Sequence, residues 1–436
     1  MFKSLKIQPG RLLETIHKTA DLYGAKYRWG DHPTETGLRR LSLDDEDKGA
    51  RDWFAKEVKD LGCELKIDNV GNMFAIYPGK DMTALPTGVG SHLDSQPTGG
   101  RYDGPLGVLS GLEILRTIKE NGYVPNYPIA LINWTNEEGA RFPAPLLGSS
   151  VWSGTTKKED IYKVNSVTDS PPRSVLSELE RIGYKGSVES SHKVNPIACH
   201  FEIHIEQAAF LEKANKKIGV VQGIQAFDWQ EIVIRGKAQH TETTPMEGRA
   251  DALLTASKMI IKGNEIAKKY GGLCSTGIID VEPHVFNVIP EYVKFSLDTH
   301  HYENDKLDLM LKEVKDSFDA IAAEVDGPLT VEYLPLFTSR STEFDQECID
   351  SVRQAAIDVV GEDNIMDITA RAGHDSKETS GIVPTSMVFI PCRDGISHAP
   401  TEYSTPEQVE NGFKVLMNAV LSYDLLRKKK ADAASA

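Results

Sequence analysis

Pro86-Thr-Gly-Val-Gly-Ser-His-Leu-Asp94 reads as a short buried strand running into His92, and together with the next forty residues it decides the fold. Leu109, Leu112, Leu115 and Ile118 recur at helical spacing, with Gly122 as a C-terminal stop. Tyr127-Pro-Ile-Ala-Leu-Ile-Asn-Trp134 is then an apolar run of strand length that ends at Asn136-Glu137-Glu138. Strand, helix and strand in that order predict a right-handed crossover and a mostly parallel sheet, whose ligands gather at the carboxyl ends of its strands. His92, Asp103, Glu137 and Glu138 fall at those ends.

After Lys213 the texture changes. Gly219 to Gln222, Trp229 to Arg235 and Thr276 to Val281 read as strands, while Ala250 to Tyr270 and Asn304 to Ala323 read as helices, an α+β pattern. The chain then returns to a helix, Asp345 to Val360, and an apolar strand, Ser386 to Ile390, ending near His398. The expectation is an α/β protein: a discontinuous first domain, residues 1–212 and 335–436, with a mostly parallel central sheet, and an inserted α+β domain, residues 213–334.

A chain of 436 residues exceeds one compact core, so two domains and a cleft between them are expected. The net charge of −15 disfavours nucleic acid and anionic membrane surfaces as partners. No apolar stretch suits a signal peptide or a membrane span, which predicts a soluble cytoplasmic protein. The five cysteines, Cys63, Cys199, Cys274, Cys348 and Cys392, are far apart and form no Cys-x-x-Cys pair, so they read as reduced thiols. The tail from Arg427 to Ala436 reads as a fraying end.

Divalent metals of borderline hardness take neutral imidazole and carboxylate ligands, and a pair of them needs a shared oxygen donor. His92, Asp103, Glu138, His204 and His398 offer such a set. A lone histidine is more often a hydrogen-bonded core or surface residue, and Glu137-Glu138 alone reads equally well as a solvated turn. The apolar run before the carboxylate pair makes it the end of a buried strand, and adjacent buried carboxylates are costly unless a cation compensates one of them. On that reading Glu138 binds metal, Glu137 accepts a proton, and Asp94 holds the His92 imidazole. Neither His-Glu-x-x-His nor Gly-x-Ser-x-Gly occurs, nor a Gly-x-Gly-x-x-Gly after a first strand.

Gly90-Ser-His-Leu-Asp94, Arg101-Tyr-Asp-Gly104, Thr135-Asn-Glu-Glu-Gly139, His204-Ile-Glu-Gln207, Gly373-His-Asp375 and Gly395-Ile-Ser-His398 occur in that order. Together they resemble the β-alanine synthase (β-ureidopropionase) and N-carbamoyl-L-amino-acid hydrolase family of the aminoacylase-like metallopeptidase superfamily. The resemblance implies a two-zinc amidohydrolase, with manganese or cobalt as alternatives, that cleaves a linear amide or ureido bond. It makes Asp103 the bridging ligand, His92 and His204 the partners on one metal, and Glu138 and His398 those on the other. Glu137 becomes the general base and acid. Gln207, His240, Asn287 and His374 become contacts to substrate or oxyanion. The inserted domain becomes a lid and dimer interface, with His240 completing the site of a second subunit in a homodimer.

Two departures fall where substrate is chosen. The lid reads His240-Thr-Glu-Thr-Thr-Pro245, with Glu242 where the family carries glycine, and Asp298-Thr-His300 stands where the family carries an Asp-x-Arg that clamps a substrate carboxylate. Imidazole cannot make the bidentate fork of a guanidinium. Glu242 and His300 therefore predict a neutral or weakly cationic substrate, unless Arg249 or Arg371 serves the carboxylate instead. The alternatives are a β-ureidopropionase or carbamoylase with ordinary carboxylate substrates, a dipeptidase or N-acyl-amino-acid hydrolase, and a non-catalytic metabolite-binding protein.

Overall fold

The computed structural model describes residues 4–435. The chain forms two compact units, one running through Gly223 and resuming at Glu343, the other comprising Ile224–Thr342. These divisions fall later than 213 and 334 for a reason of strand pairing. Ile218–Ile224 pairs antiparallel with Thr385–Ile390 in the sheet of the first unit, whereas Thr330–Ser339 pairs with Ala226–Arg235 in the sheet of the second.

The sheet of the first unit has nine strands. Its centre is four parallel strands in the order Thr385–Ile390, Cys199–Ile205, Thr87–His92, Ile129–Trp134, and each has every residue buried. A strand buried on both faces has no solvent side to mark with alternating polar residues, which is why Ile129–Trp134 and Thr385–Ile390 read as apolar runs. The flanks are antiparallel. Met73–Tyr77 pairs with Ile129–Trp134 and, through the short turn Asp68–Asn72, with Glu64–Ile67; Ile218–Ile224 lies beyond Thr385–Ile390 on the other side. The sheet is therefore mixed rather than mostly parallel.

Helix Pro105–Glu120 makes the crossover between the first two central strands and packs on Thr87–His92 and Cys199–Ile205. The C-terminal helix, Pro406–Ser435, corrects the expectation of a fraying tail. Arg427 donates to Thr87 Oγ1 at 2.8 Å and Leu85 O at 2.7 Å and lies over the Tyr127 ring, so the helix is docked there at the amino end of the central strand Thr87–His92.

The second unit is a five-stranded antiparallel sheet, Ala226–Arg235, Leu273–Ser275, Ile279–Glu282, Tyr292–His301 and Thr330–Ser339. Helices Ala252–Tyr270 and Asn304–Ala323 cover one face, closing a core around Ile232, Ile234, Met259, Phe295 and Phe318. Asp251 caps the first helix by accepting from the Leu253 and Leu254 amides. The segment expected as one strand, Thr276 to Val281, is broken: pairing stops at Ser275 and resumes at Ile279, because Gly277 and Ile278 turn their amides to Ser296 Oγ instead of a ladder partner. Among the described residues, no helix is long and apolar enough to cross a membrane.

Candidate metal centre

The carboxyl ends of the four parallel strands deliver one cluster of polar side chains. His92 is the last residue of its strand and His204 the last but one of the next. Asp103 lies on the loop leading into helix Pro105–Glu120, where Gly104 takes φ +80°, and a Cβ there would stand 2.2 Å from the His92 ring. Glu138 follows strand Ile129–Trp134 after a left-handed turn at Asn136 (φ 56°), and His398, also left-handed (φ 56°), follows strand Thr385–Ile390. Such backbone is uncommon outside glycine and concentrates at sites where side-chain placement matters.

Asp103 stands between two groups. Its Oδ1 is 3.0 Å from His204 Nε2 and 3.6 Å from His92 Nε2, while its Oδ2 is 3.3 Å from His398 Nε2, which is 3.2 Å from Glu138 Oε2. Within each group, His92–Asp103–His204 and Asp103–Glu138–His398, the facing atoms lie within 4.8 Å of one another.

The hydrogen bonding shows what these atoms suit. His92 Nδ1 bonds the Asp94 carbonyl and His204 Nδ1 bonds the Ile205 carbonyl, both at 2.9 Å. A carbonyl only accepts, so each Nδ1 carries the hydrogen and each Nε2 of the neutral ring is a bare lone pair. Both Nε2 atoms are buried and, among the described residues, without a hydrogen-bond partner, and both face the Asp103 carboxylate. Lone pair against carboxylate is repulsive unless a proton or a cation stands between them. Burial works against protonation of His204, yet Asp103, the Glu202 charge and the Ile205 carbonyl together outweigh it and lift the imidazole to about 9. The donor set, three imidazoles and two carboxylates sharing one aspartate, fits a pair of divalent metal ions.

Around this centre the structure corrects one expectation. The Asp94 carboxylate does not hold His92: it is 3.9 Å from Nδ1, and it accepts instead from the amides of Glu137 and Glu138 at 3.3 Å each. The backbone carbonyl reaches the imidazole first, leaving the side chain to fix the turn that carries both glutamates. Glu137 is buried, with Oε2 3.4 Å from His92 Nε2. Burial, and then the charges of Asp375, Glu138, Asp103 and Asp94, push its carboxyl well above the ordinary range.

Gln207, itself left-handed (φ 59°), donates through Nε2 to Asp103 Oδ2 at 2.8 Å and to Ser397 Oγ at 3.1 Å. His374 is buried with its ring 4.5 Å from that of His204 and its Nε2 without a partner among the described residues. Three residues escaped the sequence reading. Gln96 donates to Glu138 Oε2 at 2.7 Å, Ser397 donates to Asp103 Oδ2 at 2.8 Å, and Glu402 accepts from the Tyr102 and Asp103 amides. Ser397 and Glu402 flank His398 in sequence, the one signal that pointed to them.

The remaining expected residues belong to the second unit. His240 is exposed and bridges to Val288; Asn287 is exposed beside it, with its carbonyl accepting from Thr241. Glu242 is exposed, and its amide donates to His240 Nδ1 at 3.2 Å. His300 stacks on Phe227 and has both ring nitrogens engaged, Nε2 2.7 Å from Asp298 Oδ1 and Nδ1 3.3 Å from Gln225 Nε2. Arg249 donates to the carbonyls of Thr241, Thr244 and Pro245, bracing the loop that carries His240 and Glu242. In the first unit, Arg371 lies 4.1 Å over the Phe210 ring.

A model of the peptidase family M20/M25/M40 matches residues 88–422, from the strand that bears His92 to the helix beyond His398. The chain belongs to this family. It is 36% identical to an N-carbamoyl-L-amino-acid amidohydrolase of Rhizobium meliloti, over 88% of this chain and 91% of the relative. An allantoate amidohydrolase of Bacillus subtilis is 28% identical over 87% of this chain and 91% of its own length. Among solved structures, an amidase of the hydantoinase/carbamoylase family from Burkholderia multivorans superposes with a TM-score of 0.86 at 37% identity, covering 96% of this chain and 98% of the other. Family membership and the two ligand groups agree in pointing to metal dependence.

Proposed function

We propose that this protein is a metal-dependent amidohydrolase that cleaves a linear, non-peptide amide or ureido C–N bond of a small molecule. The observation that carries this reading is the pair of ligand groups sharing Asp103, with Glu137 buried at their edge. His92 and His204 would hold one ion and Glu138 and His398 the other, with Asp103 between them. Bound there, two divalent ions, zinc with manganese or cobalt as alternatives, supply Lewis acidity and lower the pKa of water. Glu137 takes the proton of the attacking water on Oε2 and returns it to the leaving nitrogen. Asp94 keeps Glu137 in place through its backbone amide. Gln207 and His374 face the reacting carbonyl and offer hydrogen bonds to the oxygen on which charge develops. The inserted unit acts as lid and dimer interface of a cytoplasmic homodimer, with His240 and Asn287 as contacts to substrate.

His300 bears on the substrate class. With Nε2 turned to Asp298 and Nδ1 to Gln225, the imidazole has no N–H left for a substrate carboxylate, and Glu242 adds a negative charge to the loop of His240. A neutral urea or amide suits this arrangement better than an N-carbamoyl amino acid. The relatives' names favour the second reading, an N-carbamoyl-L-amino-acid hydrolase or β-ureidopropionase whose carboxylate is held by another arginine. Hydrolysis of a carbamoyl group yields amine, ammonia and carbon dioxide, so ammonia release distinguishes it from dipeptide cleavage. Specificity constants for N-carbamoyl-β-alanine, N-carbamoyl-L-amino acids, neutral ureas and amides, with each candidate metal, test the proposal. Loss of a charge-assisted carboxylate contact is worth about 2–3 kcal/mol, roughly a hundredfold. Neutral substrates should therefore lead in the native enzyme, and His300→Arg should shift preference towards the carboxylates. Efficient turnover of N-carbamoyl-β-alanine by the native enzyme, weakened by Arg371→Ala, would establish the second reading instead.

A further inference from the structure

The two ligand groups are not equally built. His92, Asp103 and His204 are all buried, two of them within strands, whereas His398 is half exposed and sits on a loop. That loop carries a second group directed at the centre. Glu402 is 2% exposed, and its Oε1 accepts from the Tyr102 amide at 2.9 Å and the Asp103 amide at 3.0 Å. Its Oε2 lies 3.4 Å from Ser397 Oγ, which donates to Asp103 Oδ2 at 2.8 Å. The fit leaves no slack, since a Cβ on Gly100 would stand 2.2 Å from the Glu402 carboxyl carbon. One loop from the far end of the chain therefore presents His398 and grips the backbone of Asp103, the residue that His398 must face.

We propose that Glu402 is a positioning residue that sets the spacing between Asp103 and His398 and thereby builds the metal site formed by Asp103, Glu138 and His398. It acts through Asp103 and its own loop and touches no substrate. The first site shares Asp103 but has its two imidazoles fixed by strand backbone and by the Asp94 and Ile205 carbonyls, so it depends on Glu402 less than the second, whose His398 rides on the same loop as Glu402. What matters is the reach of an acceptor oxygen to two adjacent amides. Aspartate keeps the charge but is one methylene too short, whereas glutamine keeps the reach. Groups that orient metal ligands are typically worth roughly 10–100-fold in metal affinity.

The inference rests on the two-metal reading, and the test separates the two. Co²⁺ is titrated into metal-stripped full-length protein, followed by equilibrium dialysis and by the visible absorption of bound Co²⁺. His398→Ala serves as the reference that lacks the second site. The native chain should bind two ions. Glu402→Asp and Glu402→Ala should weaken the first by no more than a few-fold and the second by about 10–100-fold, approaching the reference spectrum, whereas Glu402→Gln should stay within a few-fold of the native chain at both. Retention of the first site reports that a variant is folded. Unchanged binding at both sites in Glu402→Asp, equal losses at both sites, or a Glu402→Gln variant as impaired as Glu402→Ala would each overturn the assignment. Fewer than two ions on the native chain would overturn the two-metal reading itself, and this inference with it.

Discussion

Replacing Glu137 by glutamine separates chemistry from architecture at this centre. The substitution keeps length, shape and the backbone amide that Asp94 accepts, and the amide side chain occupies the same place 3.4 Å from His92 Nε2. None of the atoms that define the two ligand groups belongs to residue 137. The change therefore removes one property, the capacity to take and return a proton. General acid–base groups contribute about 10²–10⁴-fold, so turnover should fall by that factor, equivalent to roughly 2.7–5.4 kcal/mol in the barrier. The assay is ammonia release on the best substrate of the panel, beside metal analysis and thermal melting of the same preparation. The expected result is a folded protein with two metals and little activity. Near-native turnover would remove Glu137 from the mechanism, and loss of a metal ion would make it a ligand.

Asp103 belongs to both groups, so Asp103→Ala should lower the bound metal at both sites, measured by elemental analysis; retention of two ions would refute the shared role. Arg51 and Asp47 form a fully buried pair at 2.7 Å, and Arg51 also donates to the Gly71 carbonyl and to Thr135, the residue that starts the turn to Glu137. Arg51→Ala leaves Asp47 buried and unpaired and should cost about 3–5 kcal/mol in chemical denaturation, against which a loss below about 1 kcal/mol would count. If His240 completes the site of a second subunit, inactive His240→Ala and inactive Glu137→Gln chains should regain activity when mixed under conditions of subunit exchange. An active species that sediments strictly as a monomer would contradict this.

Much of this was legible because burial on both faces leaves its mark on sequence. The strands Ile129–Trp134 and Thr385–Ile390 are apolar runs, and helix Asn304–Ala323 carries its periodicity from end to end. Of the flanking strands, Ile218–Ile224 was legible in its middle, Gly219 to Gln222, but Glu64–Ile67 was not: it is four residues long and partly exposed, too short for alternation to stand out. Cys199–Ile205 contains His200, Glu202 and His204, all buried, and only tertiary partners account for them. Glu202 accepts from Ser91 Oγ and from the Ser376 hydroxyl and amide, groups far away in sequence. The same limit hid Asp94, whose carboxylate answers to amides 43 and 44 residues away rather than to the adjacent imidazole.

The position of the centre comes from topology as much as from residue type. From Thr87–His92 the chain crosses to Ile129–Trp134 on one side, then returns past its starting strand to Cys199–Ile205 on the other, and later continues outward to Thr385–Ile390. The direction of winding reverses between Thr87–His92 and Cys199–Ile205. At such a point the connections at the carboxyl ends run off in opposite directions and leave a crevice that neither covers. His92 and His204 are the residues those two adjacent strands bring to its rim, and the loop bearing Asp103 leaves from one of them. Glu138 and His398 arrive from the strands on either side. A five-residue ligand set spread from position 92 to position 398 is thus what a four-stranded parallel core produces when each strand end contributes one imidazole or carboxylate and the loop after Thr87–His92 adds Asp103 between them. That origin also explains the unequal build of the two groups. The inner strands end in their ligands, whereas the outer pair reach theirs through turns at Asn136 and His398, and it is there that left-handed backbone and the clamps of Asp94 and Glu402 are needed.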